Sequence, residues 1–336
     1  MIYTKRQGMK KQNNVKRKDR VLWGSIYVFA FAAAFAGSIA FKVKHDPLGG
    51  EFKADWNDSV GKVYTDIAYG KGEANTFDLY VPADGSRSSY GLIVYLHAGG
   101  FTSGDKSGDA EMLEWLCSKG YVTAGVNYTL VSEAHPDASV YSQSVEIRES
   151  IPYVIAEAEK LGYPIDEMAV SGGSAGCCLA LLYAYRDAET SPVPVKMVFG
   201  AAGPSSFYPE DWKCYGFDIG SVESDTAARV MFSAMAGREL KAEFGTPEYD
   251  DEIRDISALL WVNENSVPTL LAYGKYDKVQ PYEGSQRLLK ALEDNHVPHD
   301  YYLCEHSGHG LQNDNKVYRD YMRKILEYLD TYMPLK

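Results

Sequence analysis

Residues 168–176, MAVSGGSAG, decide the fold of this chain. A short apolar run leads into a serine flanked by glycines, and a second apolar run follows it. The pattern predicts a strand, a tight turn at Ser174 and a helix that begins at Ala175. Gly172 and Gly176 permit such a turn because they bring no side chain to it. The turn would hold the serine hydroxyl at a helix N-terminus, where the helix dipole favours negative charge.

A second glycine-rich loop lies upstream of the serine. Residues 92–96 form a continuous apolar run that predicts a buried strand, and residues 97–101, HAGGF, follow it. Acyl transfer creates an oxyanion that needs fixed hydrogen-bond donors. We therefore expect the backbone N–H groups of Gly99, Gly100 and Ala175 to form an oxyanion hole. An ordinary turn from strand to loop would also use glycines here.

Two more candidate positions follow strand-like segments late in the chain. Residues 268–273 predict a buried strand, and Asp277 lies just beyond its end. Residues 300–304 predict the last strand, and both His306 and His309 follow it. A histidine there can act as general base toward the serine, and an aspartate can fix its tautomer. We favour His309 over His306 because glycines on both sides let it project into a cleft.

The order serine, aspartate, histidine resembles that of the alpha/beta-hydrolase superfamily. Residues 95–106 resemble the strand and HGGG-type oxyanion loop of its carboxylesterase branch, and residues 166–176 resemble its serine turn. Residues 67–70 and 77–82 resemble its first strands, so the likeness covers about residues 60–332. These motifs are specific to the fold and to serine-hydrolase chemistry, and they do not define a substrate.

The resemblance implies an alpha/beta-hydrolase fold with a mostly parallel central sheet, helices on both faces and a small cap insertion. It implies Ser174 as the nucleophile, Asp277 as the acid and His309 as the base. It also implies three oxyanion donors, which are the backbone N–H groups of Gly99, Gly100 and Ala175.

The chain departs from the family pattern in two places. Ala98 stands where the family usually has glycine, so we expect a slightly less permissive oxyanion loop. Cys177 and Cys178 follow the serine turn, where the family often has a glycine and a variable residue. We expect these bulkier side chains to narrow the pocket or to repack the helix.

The length and composition fit one α/β domain. The chain has 336 residues, of which 45% are hydrophobic, enough for one large core. Strand-like and helix-like segments alternate, and this alternation predicts a mostly parallel sheet covered on both faces. Further strands are predicted at 121–128 and 195–199, and helices at 145–161 and 175–186. The candidate residues all follow strands, which is where active sites of such folds lie.

Residues 201–267 are irregular and rich in aromatic and acidic side chains. The resemblance places the cap insertion here, at about 202–265, and we predict a short helix at 231–240. Aromatic side chains in a cap either line an acyl or alcohol pocket or pack the insertion onto the body, and packing is the more frequent role. The aromatic residues in question are Tyr208, Trp212, Tyr215, Phe217 and Phe232.

The N-terminal segment has a composition of its own. Residues 1–20 carry eight basic side chains and one acidic one, and residues 21–41 carry no charge. An uncharged stretch of this length can span a bilayer, and the basic residues before it predict a cytoplasmic tail. We favour a single-pass membrane anchor that places a catalytic domain at 45–336 outside the cytoplasm. The alternatives are a cleaved signal peptide, with small residues at 34–36 and 38–40, and, less well supported, a buried soluble helix.

The rest of the chain is strongly acidic. The whole chain has 34 basic and 46 acidic residues, and residues 1–44 hold ten of the former and one of the latter. The remainder therefore has 24 basic and 45 acidic side chains, a formal net charge of −21. Such a domain repels nucleic acid and anionic membrane surfaces. We predict no nucleic-acid partner and a neutral ester substrate, although solubility alone also explains the charge.

Five cysteines do not form the pattern of a disulfide framework. Their odd number leaves at least one thiol unpaired, and a bond between the adjacent Cys177 and Cys178 would be strained. Cys117 falls in a helical run at 111–118 and is expected in the core. None of the five has the spacing of a metal site, and we predict no metal and no organic cofactor.

Together these features predict an exported serine carboxylesterase that hydrolyses small, short-chain acyl esters through an acyl-enzyme. A serine peptidase of the prolyl-oligopeptidase type is one alternative, although such peptidases usually carry a large additional domain. A non-catalytic binding module on a hydrolase scaffold is another, since fold does not fix function. Against the binding module, every catalytic role has a candidate residue. No sequence feature indicates an oligomeric state.

Overall fold

The computed structural model describes residues 50–280 and 282–336. The predicted basic tail at 1–20 and the predicted membrane anchor or signal segment at 21–41 lie outside the described residues. Within the described part of the chain, no helix combines the length and apolar character needed to cross a membrane. Phe52–Lys336 form one compact unit, and the elements below all belong to it.

A single eight-stranded sheet runs through this unit. Its strands are β1 Gly61–Ala68, β2 Thr76–Pro82, β3 Tyr90–Leu96, β4 Val122–Val126, β5 Ile165–Gly173, β6 Val195–Ala201, β7 Thr269–Gly274 and β8 His299–Cys304. The described residues also form seven α-helices, α1 Ala110–Cys117, α2 Val140–Lys160, α3 Ala175–Leu182, α4 Val222–Ala236, α5 Pro247–Ile253, α6 Tyr282–Asp294 and α7 Asn315–Tyr332.

The strand order across the sheet is β1-β2-β4-β3-β5-β6-β7-β8. β2 pairs antiparallel with β1 and with β4, and every pair from β4 to β8 is parallel. The prediction of a mostly parallel sheet is therefore confirmed. β3, β5 and β7 are buried along nearly their whole length, which requires cover on both faces of the sheet.

The register of the parallel strands aligns their carboxyl ends. Leu96 at the end of β3 pairs with Gly172 of β5, and Gly172 pairs with Gly200 of β6. At the other side, Gly274 at the end of β7 pairs with Cys304 at the end of β8. The loops after β3, β5, β7 and β8 therefore leave the same edge of the sheet, and each carries candidate residues.

Three helix predictions differ from the structure. The helix predicted at 145–161 begins five residues earlier, at Val140. The helix after the serine turn is α only to Leu182 and continues as a π-turn over Tyr183–Asp187. The helix predicted at 231–240 is wrong in position, because α4 spans Val222–Ala236. The Ser221 side chain accepts a hydrogen bond from the Ser224 N–H and starts α4 early, and Gly237 at φ 69° ends it.

The connection between β6 and β7, residues 202–268, contains α4, α5 and short 3₁₀ turns. Most of its aromatic side chains pack against one another. Trp212, Phe217 and Phe232 are buried, and their ring centroids lie 5.6–5.8 Å from a neighbouring ring of this set. Tyr208 is half-buried, whereas Tyr215 is 43% exposed. For the three buried rings, packing of the insertion is the role that the structure shows.

Candidate active site

The serine turn brings two backbones closer than any side chain would allow. Ser174 has φ 52° and ψ −119°, a conformation that is costly for an L-residue. A Cβ on Gly172 would lie 2.4 Å from the Gly176 carbonyl carbon, and a Cβ on Gly176 would lie 1.9 Å from the Leu96 oxygen. Both glycines are therefore required, and they press the start of α3 against the end of β3.

The Ser174 hydroxyl contacts His309, which lies in the loop after β8, the last strand of the sheet. The Oγ atom lies 2.8 Å from His309 Nε2, and His309 Nδ1 lies 2.7 Å from Asp277 Oδ2. The Asp277 side chain is fully buried, and the His309 side chain is 28% exposed. With its Nδ1–H donating to the carboxylate, the imidazole accepts the serine proton at Nε2. The structure thus brings the three predicted residues into one hydrogen-bonded chain.

The acid is oriented by the loop that follows β7. Asp277 Oδ1 accepts hydrogen bonds from the N–H groups of Val279 and Gln280, at 2.8 and 2.9 Å. These donors hold one carboxylate oxygen, so that the other faces His309. Sequence reasoning identified Asp277 but not these two donors, whose only signal was their place two and three residues after an aspartate.

Hydrogen bonds to Asp314 hold the loop that carries His309 in place. Asp314 accepts hydrogen bonds from the His306 N–H at 2.9 Å and from the Ser307 hydroxyl at 2.6 Å, and it contacts His306 Nδ1 at 2.9 Å. Although desolvation opposes the shift, the bonds from Ser307 and His306 hold the pKa of Asp314 below its usual value. The His306 side chain is 79% exposed and faces Asp314 rather than Ser174. Its place agrees with the preference for His309 over His306 as the base.

The predicted oxyanion loop has backbone angles that only its glycines adopt easily. Gly99 and Gly100 have φ of 136° and 60°, and a Cβ on Gly99 would lie 1.9 Å from the Ser103 oxygen. Ala98 is not among the described residues with positive φ, so its position does not demand glycine. Ala175, the third predicted donor, is the first residue of α3 and follows Ser174 directly.

A buried histidine, which the sequence reasoning did not single out, supports this loop. The His97 ring stacks on the Tyr128 ring at 4.3 Å with an interplanar angle of 8°, and the Tyr128 hydroxyl donates to the His97 carbonyl at 2.8 Å. Desolvation lowers the pKa of His97, which favours its neutral form. The available signal was positional, because His97 directly follows β3 and Tyr128 lies two residues after the end of the neighbouring strand β4.

The two cysteines after the serine point into the protein. Cys177 and Cys178 are buried and unpaired, and burial raises the pKa of the Cys177 thiol to about 12. A Cβ on Gly200 or Gly203 would lie 2.6 Å from Cys177 Sγ. Two glycines therefore make the room that the sulfur fills, which is local repacking of the kind expected from the sequence.

A polar cleft of about 640 Å³ opens beside the oxyanion loop. Its wall includes residues of that loop and of the segment after β4, among them His97, Thr102, Asp105, Tyr128 and His135. At its side, the buried ammonium group of Lys106 bonds to Asp66 at 2.7 Å and to Asp78 at 3.2 Å. The described residues contain no group of three or more metal-ligating side chains that could hold an ion.

The sheet topology, with a hydrogen-bonded serine, histidine and aspartate at the carboxyl ends of its strands, is that of an α/β-hydrolase fold. Residues 77–292, more than half of the chain, match the model of the BD-FAE family, and the chain belongs to that family.

Comparison with known proteins adds more distant relatives. Kynurenine formamidase of Danio rerio is 30% identical over 131 residues, which are 38% of this chain and 41% of that protein. The match thus spans less than half of the curated relative. Esterase B from Lactobacillus Rhamnosis has a TM-score of 0.61 at 21% identity and covers 90% of this chain and 92% of its own. Esterase Est2 of Thermogutta terrifontis has a TM-score of 0.62 at 19% identity and covers 85% and 97%. These two structures share the fold.

Proposed function

We propose that this protein is a serine carboxylesterase that hydrolyses small, short-chain acyl esters. The observation that carries the proposal is the hydrogen-bonded chain from Ser174 through His309 to the buried Asp277. Two similar structures, esterase B and Est2, are named as esterases, which agrees with ester chemistry on this fold.

The proposed reaction has two stages with the same groups. Ser174 Oγ attacks the ester carbonyl carbon while His309 Nε2 takes its proton, and the imidazolium then protonates the departing alcohol. Water next attacks the acyl-enzyme, His309 takes its proton, and the acid is released as Oγ recovers a proton. Asp277 stabilises the imidazolium in both stages, because its buried carboxylate accepts the Nδ1–H.

Backbone N–H groups would stabilise the negative charge that develops on the carbonyl oxygen. The positive φ angles of Gly99 and Gly100 turn this loop sharply beside β3, and Ala175 begins the helix after the nucleophile. Their N–H groups are the donors that we propose for the oxyanion, supported by the positive end of the α3 dipole.

We further propose that the enzyme acts outside the cytoplasm. The support is the uncharged stretch at 21–41 after eight basic residues, a pattern typical of a single-pass anchor. Secretion after signal cleavage is the alternative. Comparing the mass of the protein recovered from membranes with that of the full chain separates the two, because cleavage would remove the first three to four dozen residues.

Activity-based labelling tests the nucleophile. The full chain should react with a fluorophosphonate probe and hydrolyse nitrophenyl acetate and nitrophenyl butyrate. The Ser174→Ala variant should lose both the labelling and the ester turnover, because it removes the hydroxyl that bonds to the His309 imidazole. Ester turnover that survives in this variant would remove Ser174 from the mechanism, and cleavage of a proline-containing peptide in preference to esters would favour a peptidase.

The two histidines provide a matched pair for the base. His309→Ala should lower kcat on the order of a thousandfold, because the proton of Ser174 loses its acceptor. His306→Ala removes an exposed ring three residues away and should leave kcat within about threefold. A larger loss at His306 than at His309 would contradict the assignment.

A further inference from the structure

One peptide unit connects the acid of the active site to the cap. The carbonyl of Val279 and the N–H of Gln280 belong to the same planar amide. The Gln280 N–H donates to Asp277 Oδ1 at 2.9 Å, and the Val279 carbonyl accepts a hydrogen bond from the Tyr215 hydroxyl at 2.9 Å. The two ends of one rigid plane are thus held by the catalytic acid and by a tyrosine of the β6–β7 connection.

Aromatic packing holds the Tyr215 ring in place. Tyr215 ends the 3₁₀ turn Lys213–Tyr215, and its ring lies 5.5 Å from that of Trp212 and 5.7 Å from that of Phe217, both of which are buried. Phe232 of α4 packs against both rings, at 5.6 and 5.8 Å. The hydroxyl of Tyr215 therefore reaches the acid loop from a packed aromatic cluster.

A second contact holds the same cap segment beside the acid loop. Arg287 of α6 makes a two-pronged ion pair with the buried Asp211, at 2.7 and 3.0 Å, and Asp211 also accepts from the Ser206 hydroxyl at 2.6 Å. Helix α6 begins at Tyr282, just after the acid loop. The cap segment is thus fixed to α6 through Asp211, just before the turn that carries Tyr215.

We propose that Tyr215 is a positioning residue that acts on the reaction through Asp277. Its hydroxyl fixes the plane of the 279–280 peptide and so keeps the Gln280 N–H aimed at the carboxylate. A donor on the carbonyl also polarises the amide and strengthens the bond that its N–H gives. The inference rests on the proposed function, because it assigns Tyr215 to the same triad.

The effect should appear in the chemical step rather than in substrate binding. Tyr215→Phe removes only the hydroxyl and leaves the ring packing in place. Loss of one neutral hydrogen bond to the acid loop should lower kcat about three- to tenfold, with KM within twofold. The loss should be the same for nitrophenyl acetate, nitrophenyl butyrate and the rate of fluorophosphonate labelling. A control variant, Tyr153→Phe, alters an exposed tyrosine on α2 and should match the wild type.

A second background tests whether the effect passes through the acid. In the Asp277→Ala protein the peptide has no carboxylate to orient, so adding Tyr215→Phe should change the labelling rate less than 1.5-fold. A general weakening of the fold would lower the rate in both backgrounds by the same factor. Equal losses in the two backgrounds, a loss confined to KM, or a Tyr215→Phe enzyme indistinguishable from wild type would each overturn the inference.

The outcomes separate this inference from the proposed function. If the wild type labels but does not hydrolyse esters, the ester assignment fails while the labelling rates still decide the role of Tyr215. If the wild type labels and hydrolyses esters normally and only the Tyr215 comparison fails, the positioning role alone is wrong. A wild-type protein that does not label has an inactive triad, and both conclusions then fall.

Discussion

Gly176→Ala should show how strictly the serine turn depends on backbone contact. The added methyl carbon would lie 1.9 Å from the Leu96 oxygen, 2.5 Å from the Leu96 carbonyl carbon and 2.8 Å from the His97 oxygen. All three are backbone atoms, so no side chain can rotate away to make room. The end of β3 or the start of α3 must move.

The size of the penalty follows from what has to move. Overpacking of a core that can adjust its side chains costs about 1–3 kcal/mol. Here the adjustment separates β3 from α3 within the most buried part of the sheet, and we expect a loss of at least about 3 kcal/mol in the free energy of unfolding. Any Gly176→Ala protein that folds should also have a lower kcat. His97 leads directly into the oxyanion loop, and losing one oxyanion donor lowers kcat about 10²- to 10³-fold.

The matched control lies in the same motif. A Cβ on Gly173 would meet only the Tyr95 hydroxyl, at 3.8 Å, which is ordinary van der Waals distance. Gly173→Ala should therefore cost less than about 1 kcal/mol. Urea unfolding followed by circular dichroism, together with kcat for nitrophenyl acetate, measures both effects. A Gly176→Ala protein as stable and active as Gly173→Ala would refute the claim that backbone contact sets the turn.

Two other predictions concern ionisable groups outside the triad. Burial raises the pKa of Asp109 to about 7, so between about pH 4 and pH 7 the folded protein binds a proton that the unfolded chain has released, and stability falls as the pH rises through this window. Asp109→Asn should therefore stabilise the protein more at pH 8 than at pH 5, by on the order of 2 kcal/mol, and equal urea midpoint shifts at the two pH values would contradict this. Of the five free cysteines, Cys214 is exposed and the other four are buried. A thiol reagent should accordingly modify one group per folded chain and five after denaturation, and Cys214→Ser should abolish the reaction of the folded protein.

The sequence predicted structure best where the local conformation accepts few residue types, as at the glycine-flanked serine turn. A serine between glycines after an apolar run predicted the turn at Ser174, and the structure places that residue at φ 52°. Asp277 and His309 followed from their places after strands, because parallel strands align their carboxyl ends at one edge. The general rules of the fold were thus enough to name the residues that meet.

The cap shows what local patterns do not reveal. The helix at Val222–Ala236 was expected nine residues later, because its start depends on a single serine cap and its end on a glycine in the left-handed region. The hydrogen bond from Tyr215 to Val279 joins residues 64 positions apart. The packed aromatic cluster and the Arg287–Asp211 ion pair bring these residues together, and no periodicity in the chain encodes that contact.

The candidate site is held together more by backbone approach than by side-chain packing. At Gly176 the start of α3 meets the end of β3, and at Gly274 a Cβ would lie 2.2 Å from the Gly308 oxygen, so the acid strand meets the histidine loop. The Tyr276 N–H donates to the Ser307 carbonyl at 2.9 Å across that second junction. Because both junctions are fixed by main-chain atoms, the distances among Ser174, His309 and Asp277 depend little on the identity of surrounding side chains. Variation in the cap can then leave Ser174, His309 and Asp277 in place, except where a cap residue bonds directly to the main chain of the acid loop, as Tyr215 does.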